Sequence, residues 1–572
     1  ISKIISNAQQ NVVALVGLPG IGKTSLAKEV LSRNKEKYEI ALYLNCAQDI
    51  RSQLLKFAQV WNQKQKDFSL KIPSAYMNLN DAENILTSWL PNSPSSIIII
   101  LDDLQNQQQV KDFVQPFEER KNKTVLITAK KGFVWKKVIK IEKLKRNESI
   151  ILLRKLLNYS ERELHKLADL LEDYPLALFQ AGILLKTSPT LTIDSYKKLF
   201  KEKRAELEKL QNKVNHTNAE LIEYNFTINA ALELSLDELK KRHSQAYSVL
   251  EYLSFLHLTS ISEENVKDCL LSLSLEKEKL HDVLFDLISY FYLAPQYSGR
   301  KDGQETKIYS MHSLVQQSLR EKITLQKKKE ILEFWVKYFT KKYLLDTYRL
   351  EEYLSTFPEN YSHTRNLIKY IDQEKLTIPG CLELKIDLCF ASQYIIWDEE
   401  LHKEFTFQIE KELLNKEKTI PFFIQARFYH ILASAFLLDN PAKTTELIVK
   451  AMDILEKMPD DKAKLDSIYL GINDLVMSYI FQGKLKQALK YFQNIKEYVE
   501  KCNIPIYQAK YYGLYAFILM YLGQFDEAYN YINKSCIMLE SLPYKKSDLD
   551  QIAKAEILVR QGKYMQAYDL AF

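Results

Sequence analysis

The sequence predicts a multidomain α/β-plus-α protein: a parallel sheet interleaved with helices, followed by a long, almost wholly helical region. Three observations predict it. Short apolar runs at about 12–16, 40–45, 97–101, 124–128 and 138–141 alternate with stretches of helical periodicity, the pattern of strands buried on both faces. The first run exits into GLPGIGKTSLAKE, from Gly17 to Glu29, in a chain with only 13 glycines. Near the end, QGKLKQALKYF, LGQFDEAYNYI and QGKYMQAYDLA recur, with glycines at Gly483, Gly523 and Gly562. The 572 residues exceed a single hydrophobic core, and domains of about 100–200 residues imply three to five units.

The first strand, Val12 to Val16, opens into a segment that fits G-x-x-x-x-G-K-[ST] as Gly17, Gly22, Lys23 and Thr24, with Ser25 following. SLAKEVL behind it has helical spacing. The loop therefore joins a strand end to a helix start, where free backbone N–H groups and the helix dipole favour an anion. Gly20 and Gly22 let the backbone around Ile21 approach a phosphate, while Pro19 stiffens the loop. Lys23 is placed to reach the β- and γ-phosphates of ATP or ADP, and the Thr24 hydroxyl to ligate Mg²⁺. Gly17, Gly20, Ile21, Gly22, Lys23, Thr24 and Ser25 form the core of the candidate nucleotide site.

The run SSIIIILDDL predicts a buried strand from Ile97 to Leu101 that ends in Asp102 and Asp103. Such a pair at a strand's C-terminal end forms a Walker B element. Asp102 is the candidate Mg²⁺ partner beside Thr24. Asp103 is the candidate group that orients an attacking water, so Lys23 and Asp103 are the candidate catalytic residues. TVLITAKK gives a third strand, Thr124 to Thr128, with Lys130 just past its end as a candidate γ-phosphate contact. Ligands of a parallel sheet gather at these strand ends.

These elements and those that follow resemble the NB-ARC type of STAND nucleotide-switch ATPases. The resemblance runs through KIEKLKRNESIILLRKLL and LADLLEDYPLALFQAGILL, in which Tyr174-Pro175-Leu176-Ala177-Leu178 looks like the family's G-L-P-L-A motif with a changed front end, tyrosine directly preceding the proline. It implies that Pro175 lies against the adenine ring. The stretch from Thr227 to Ser262 looks like the start of the family's winged helix. YSMHSLVQQSLRE looks like its M-H-D element, with Met311 and His312 in place and Ser313 for the aspartate. The resemblance implies that His312 contacts the β-phosphate of ADP in a closed state. It covers roughly Val12 to Lys322. The family's strand-end arginine is Lys130 here, a point charge without the planar fork.

From about Leu325 the chain reads as helix. The repeat glycines are spaced by 40 and 39 residues (523 − 483 and 562 − 523), and alanines follow five residues on at Ala488, Ala528 and Ala567. This resembles tetratricopeptide (TPR) repeats, and Ala426 to Met458 reads as a degenerate earlier copy. The predicted fold is thus a P-loop NTPase parallel α/β sheet (1–145), a small helical domain (146–200), a linker helix and winged helix (201–325), a helical connector (326–460) and a TPR-like α-solenoid (461–572). The chain opens on Ile1 and closes on AYDLAF, which predicts a fragment with further material at both ends.

Hydrophobic content of 46% and charged content of 27% predict an ordinary soluble protein. The net charge of +6 is small beside 79 basic and 73 acidic residues, spread along the chain, and argues against nucleic acid as the main partner. Six distant cysteines give neither a CxxC pair nor zinc spacing and predict reduced thiols in a cytoplasmic protein. No apolar stretch reaches the roughly 18 residues of a membrane span. Taken together, the expectation is a signalling switch using ATP/ADP and Mg²⁺. ADP closes it, a protein or peptide partner on the TPR-like surface opens it, ATP favours a homo-oligomer, and hydrolysis is a slow reset. Two alternatives are a DNA-binding winged-helix/TPR transcriptional regulator and a protein-remodelling ATPase. The mixed charge of SEENVKDCLLSLSLEKEKLHDVLFDLI speaks against the first.

Overall fold

The computed structural model describes residues 12–46, 50–65, 70–73, 76, 82–104, 106–118, 120–129, 137–211, 219–301, 304–343, 350–391, 406, 409–410, 422–437, 439–457, 461–501, 505–540 and 548–571. It divides into two compact units, one of Ile1–Phe339 with Leu354–Pro379, the other of Thr340–Tyr353 with Gly380–Phe572.

The first unit begins with β1 (Val12–Val16), α1 (Lys23–Asn34), β2 (Ile40–Asn45), α2 (Ile50–Lys64), β3 (Ile97–Leu104), α3 (Gln107–Phe113), β4 (Lys123–Ala129) and β5 (Val138–Lys140). The strands form one parallel sheet in the order β2-β3-β4-β1-β5. Their alternation divides the core in two. Val13 and Leu15 of β1 pack with Ala27 and Val30 of α1, whereas Ala14 and Val16 join Leu42, Leu44, Ile97, Ile99, Val125 and Ile127 on the other face. Both faces of β1, β3 and β4 are covered, which is why these strands read as continuous apolar runs, while the edge strand β5 leaves Val138 and Lys140 exposed. One boundary differs from the sequence expectation. The strand expected to stop at Leu101 continues to Leu104 through a register shift between Leu101 and Leu104. The Asp pair therefore lies within a bulged strand instead of following its end. A bulge gives a strand an extra residue and re-aims its side chains, and periodicity does not announce it.

Helices α4 (Arg146–Leu156), α5 (Glu161–Leu170), α6 (Pro175–Thr187), α7 (Ile193–Gln211) and α8 (Ala219–Arg242) follow. The stretch beginning at Thr227 thus opens inside a long helix. Next come α9 (Ser244–Leu253), β6 (Ile261–Ser262), α10 (Glu263–Ser272), α11 (Leu280–Ser289), β7 (Ala294–Lys301) and β8 (Gln304–Ser310), with an antiparallel sheet in the order β6-β8-β7. Then α12 (Ser313–Lys322), α13 (Leu325–Tyr343) and α14 (Leu350–Gln373) complete the run. No described helix is long and apolar enough to cross a membrane. Cys46, Cys269, Cys381, Cys389 and Cys536 are free and buried, and Cys502 lies outside the described residues.

The second unit is built of helical hairpins: after α15 (Cys381–Ala391) come α16 (Phe422–Phe436) with α17 (Pro441–Glu456), α18 (Asp461–Phe481) with α19 (Leu485–Lys501), α20 (Pro505–Tyr521) with α21 (Phe525–Glu540), and α22 (Asp548–Arg560) with α23 (Tyr564–Ala571). The recurring glycines close the first helix of the last three pairs. Gly523, at φ 78°, donates its N–H to Met520 O at 3.1 Å while Gln524 N–H reaches Leu519 O at 2.9 Å. Gly483 and Gly562 repeat the same paired bonds at φ 68° and 75°. This is the helix-ending turn in which a left-handed residue frees the last carbonyls from solvent, and only glycine takes it at no cost. Ala488, Ala528 and Ala567, one turn on, are buried where the helices meet.

A methyl at Gly523 meets nothing within 4 Å, so Gly523→Ala isolates the backbone cost. The expected result is a loss of about 1 kcal/mol in denaturant unfolding. An unchanged midpoint contradicts this explanation of the repeat spacing.

Candidate functional site

The loop Gly17 to Gly22 leaves β1 and enters α1. Gly17 is buried, and a Cβ on it would stand 2.7 Å from the Ile141 carbonyl, so no larger residue fits between β1 and the segment after β5. Gly20 and Gly22 have φ of 77° and 96°, and Gly22 is the N-cap of α1 without any side-chain cap. Ile21 is buried and anchors the loop, while Ser25 is exposed one turn into the helix. Lys23 curls back over the loop, its ammonium donating to the Gly17 and Leu18 carbonyls, both at 2.9 Å.

The bulge in β3 places Asp102 against the start of α1. Thr24 Oγ1 donates to Asp102 Oδ1 at 2.9 Å and lies 3.1 Å from Oδ2. Two further donors converge on the same buried carboxylate: Tyr43 OH on Oδ2 at 2.7 Å and Thr128 Oγ1 on Oδ1 at 2.6 Å. Burial first, and the Asp102 carboxylate second, push the Tyr43 hydroxyl well above its ordinary pKa, so it remains a donor. Asp103 takes φ 56°, and its N–H donates to Thr128 Oγ1 at 2.8 Å. Tyr43 and Thr128 are site residues that the sequence does not announce. Their signal is weak: polar residues near the C-terminal ends of β2 and β4, the level at which β1 and β3 also end.

The hydroxyl of Thr24 and the carboxylate of Asp102 are hard oxygen donors of the kind that suits Mg²⁺. Among the described residues, no group of three or more His, Cys, Asp or Glu side chains could cage a metal. Mg²⁺ fits such a site, because it is commonly held by one or two protein oxygens together with substrate phosphates and water.

His312 caps α12: its Nδ1 accepts from Leu314 N–H at 3.2 Å. His312 is exposed at the surface, with protein packed near its ring. That surrounding protein first, and the Lys23 ammonium second, push its pKa down to about 4. His312 and Lys23 thus occupy one electrostatic neighbourhood although most of the unit's sequence separates them. With Nδ1 accepting, the neutral ring carries its proton on Nε2.

Pro175 is the first residue of α6 and half-buried. The turn before it is unusual: Glu172 and Asp173 both hold positive φ, 54° and 59°. Arg146 spans Asp173 with Nε at 2.9 Å and Nη2 at 2.8 Å, and Arg204 Nη1 reaches Glu172 at 2.6 Å. The segment after β5 ties this turn to the loop, since Ile141 N–H donates to Val16 O at 2.8 Å and Leu144 N–H to Asp173 O at 3.1 Å. Lys130 lies outside the described residues.

A parallel sheet with a glycine loop after its first strand and a buried aspartate facing the loop's Thr24 defines the P-loop class of nucleotide-binding domain. Residues 1–162 match the family model of the NB-ARC domain, so the chain carries a nucleotide-binding domain of that type at its front. Among solved structures, a Signal Transduction ATPase with Numerous Domains (STAND) protein with a tetratricopeptide repeat sensor, from Pyrococcus horikoshii, matches along 99% of this chain and 80% of its own. The TM-score is 0.61 at 17% identity, a likeness of fold. The Aeropyrum pernix Orc1 protein in complex with DNA covers 56% of this chain and 90% of its own, and Drosophila ORC bound to DNA covers 56% and 93%. Both are 13% identical with a TM-score of 0.22. No curated protein matches the sequence.

Proposed function

We propose that the chain is a nucleotide-controlled signalling switch whose ATPase activity serves as a reset. The observation that carries this reading is the placement of His312 in the field of Lys23. A residue at the start of α12, far beyond the sheet in sequence, would then have a phosphate on the loop within its influence. Lys23 and the loop amides would hold the phosphates, Thr24 and Asp102 the Mg²⁺, and Asp103 a water. Pro175 would face the base. His312 would donate Nε2–H to the β-phosphate of ADP and so tie α12 to the sheet.

With ADP the unit would be closed. The three-stranded sheet and α9 to α11, read as a winged helix, would be held against the nucleotide domain by that contact. A protein or peptide partner bound by the helical hairpins, read as TPR-like repeats, would favour release of ADP in the cytoplasm. ATP would then hold an open, self-associating form. A ligand shifts such a balance only by its difference in affinity for the two states, about 5.5 kcal/mol for a swing from 1:99 to 99:1.

Sedimentation of the purified chain with Mg²⁺ and either ADP or a slowly hydrolysed ATP analogue tests the reading. The expected result is a larger species with the ATP analogue, and ATP turnover below about 1 s⁻¹ without a partner. Equal sedimentation in both nucleotides, together with rapid unassisted turnover, removes the switch in favour of a working ATPase.

A further inference from the structure

The loop between α9 and β6 is gripped from two helices. His363 of α14, only 1% exposed, spans it: Nδ1 accepts from His257 N–H at 3.0 Å and Nε2 faces the Ser260 carbonyl at 3.0 Å. A backbone N–H only donates and a carbonyl only accepts, so the two contacts select one neutral tautomer of the ring. Burial first, then His257, push the His363 pKa down to about 3, in keeping with that form. Asn366, one turn along α14, donates to the Phe255 and Leu256 carbonyls at 3.1 and 3.2 Å. From α12, Gln316 Nε2 donates to the same Leu256 carbonyl at 2.9 Å. Met311 N–H donates to Leu258 O at 2.7 Å, and the next residue is His312. Tyr370 of α14 reinforces the grip, with its ring 5.2 Å from that of Phe255 and from the Arg320 guanidinium of α12.

These contacts form a short mechanical series: α14, the loop, Met311, His312. The chain returns to the first unit at Leu354, within α14, and leaves it after Pro379. We propose that His363 is a positioning residue for the nucleotide site: by fixing the loop from Phe255 to Ser260 it fixes where His312 stands, and through it α14 governs how long nucleotide is held. The proposal rests on the reading of His312 as a contact of the bound nucleotide. His363 itself touches no nucleotide. A buried histidine that served only to fill the core would affect stability without acting through His312.

The test uses the full chain loaded with a fluorescent ADP analogue, chased with unlabelled ADP, in wild type, His312→Ala, His363→Phe and the double variant. His363→Phe keeps a ring of similar size and removes both hydrogen bonds. The expected result is release about tenfold faster than wild type, the scale of one or two net hydrogen bonds. In the His312→Ala background the same substitution is expected to change release by less than about twofold, as coupled residues behave in a double-mutant cycle. An equal acceleration in both backgrounds overturns the proposal, as does no acceleration in either while His312→Ala alone speeds release. If His312→Ala leaves release unchanged, the nucleotide contact of His312 is what fails, and the proposal falls with it. Should His363→Phe not fold, Asn366→Leu loosens the same loop and is put through the same cycle: acceleration confined to the wild-type background supports the proposal, and equal or absent acceleration overturns it.

Discussion

Lys23→Ala is expected to weaken ATP and ADP binding by two orders of magnitude or more. The lysine ammonium donates to the Gly17 and Leu18 carbonyls. Phosphate oxygens compete for those same protons and, being charged, make the stronger bonds. A charge-assisted hydrogen bond contributes about 1.5–3 kcal/mol net, and two of them correspond to roughly 10² to 10⁴ in affinity. The fold does not depend on the side chain to that extent, because α1 is anchored by Ala27 and Val30 beneath it. Titration calorimetry on wild type and variant, with thermal unfolding as a control, reads the effect. Unchanged affinity in a folded variant refutes the phosphate-loop assignment.

His312→Ala is expected to accelerate ADP release by tenfold or more, with a small loss of stability. Two roles meet in this residue and a pair of substitutions separates them. As the cap of α12, His312 accepts from Leu314 N–H, and loss of a cap costs about 1 kcal/mol. As a donor to a diphosphate, its Nε2–H would be worth about 1.5–3 kcal/mol within the bound complex. His312→Asn keeps a good cap but lacks the reach of the imidazole. Both variants should therefore release ADP fast, while only the alanine form melts lower. If the asparagine form holds ADP as firmly as wild type, capping explains the residue and the M-H-D correspondence is wrong.

The parts of the molecule legible in the sequence were those in which a residue type answers a local demand. β1, β3 and β4 were visible because strands covered on both faces must be apolar throughout, as Ile97 to Leu101 are. The phosphate loop was visible because φ of 77° and 96° and the approach of Ile141 O call for glycine. The hairpins announced themselves through glycines at one repeated turn. What the sequence concealed depends on residues brought from afar. The bulge that turns Asp102 toward Thr24 leaves no periodic trace. Nothing in the spacing of Tyr43, Thr128 or His363 predicts that the first two converge on one carboxylate, or that the third closes over a loop about a hundred positions earlier.

The turn in front of Pro175 has a consequence of its own. At Asp173 a left-handed backbone is imposed on a residue with a side chain, and Glu172 beside it shares the burden; each such residue costs about 1–2 kcal/mol unless its surroundings compensate. Here the compensation is ionic, from Arg146 and Arg204 on different helices. A glycine bend keeps its shape in any solvent. This one relies on partly exposed ion pairs, so dissolved electrolyte, or an anion competing for either guanidinium, becomes a means of slackening the entrance to α6 and altering the angle at which the proline meets its neighbour.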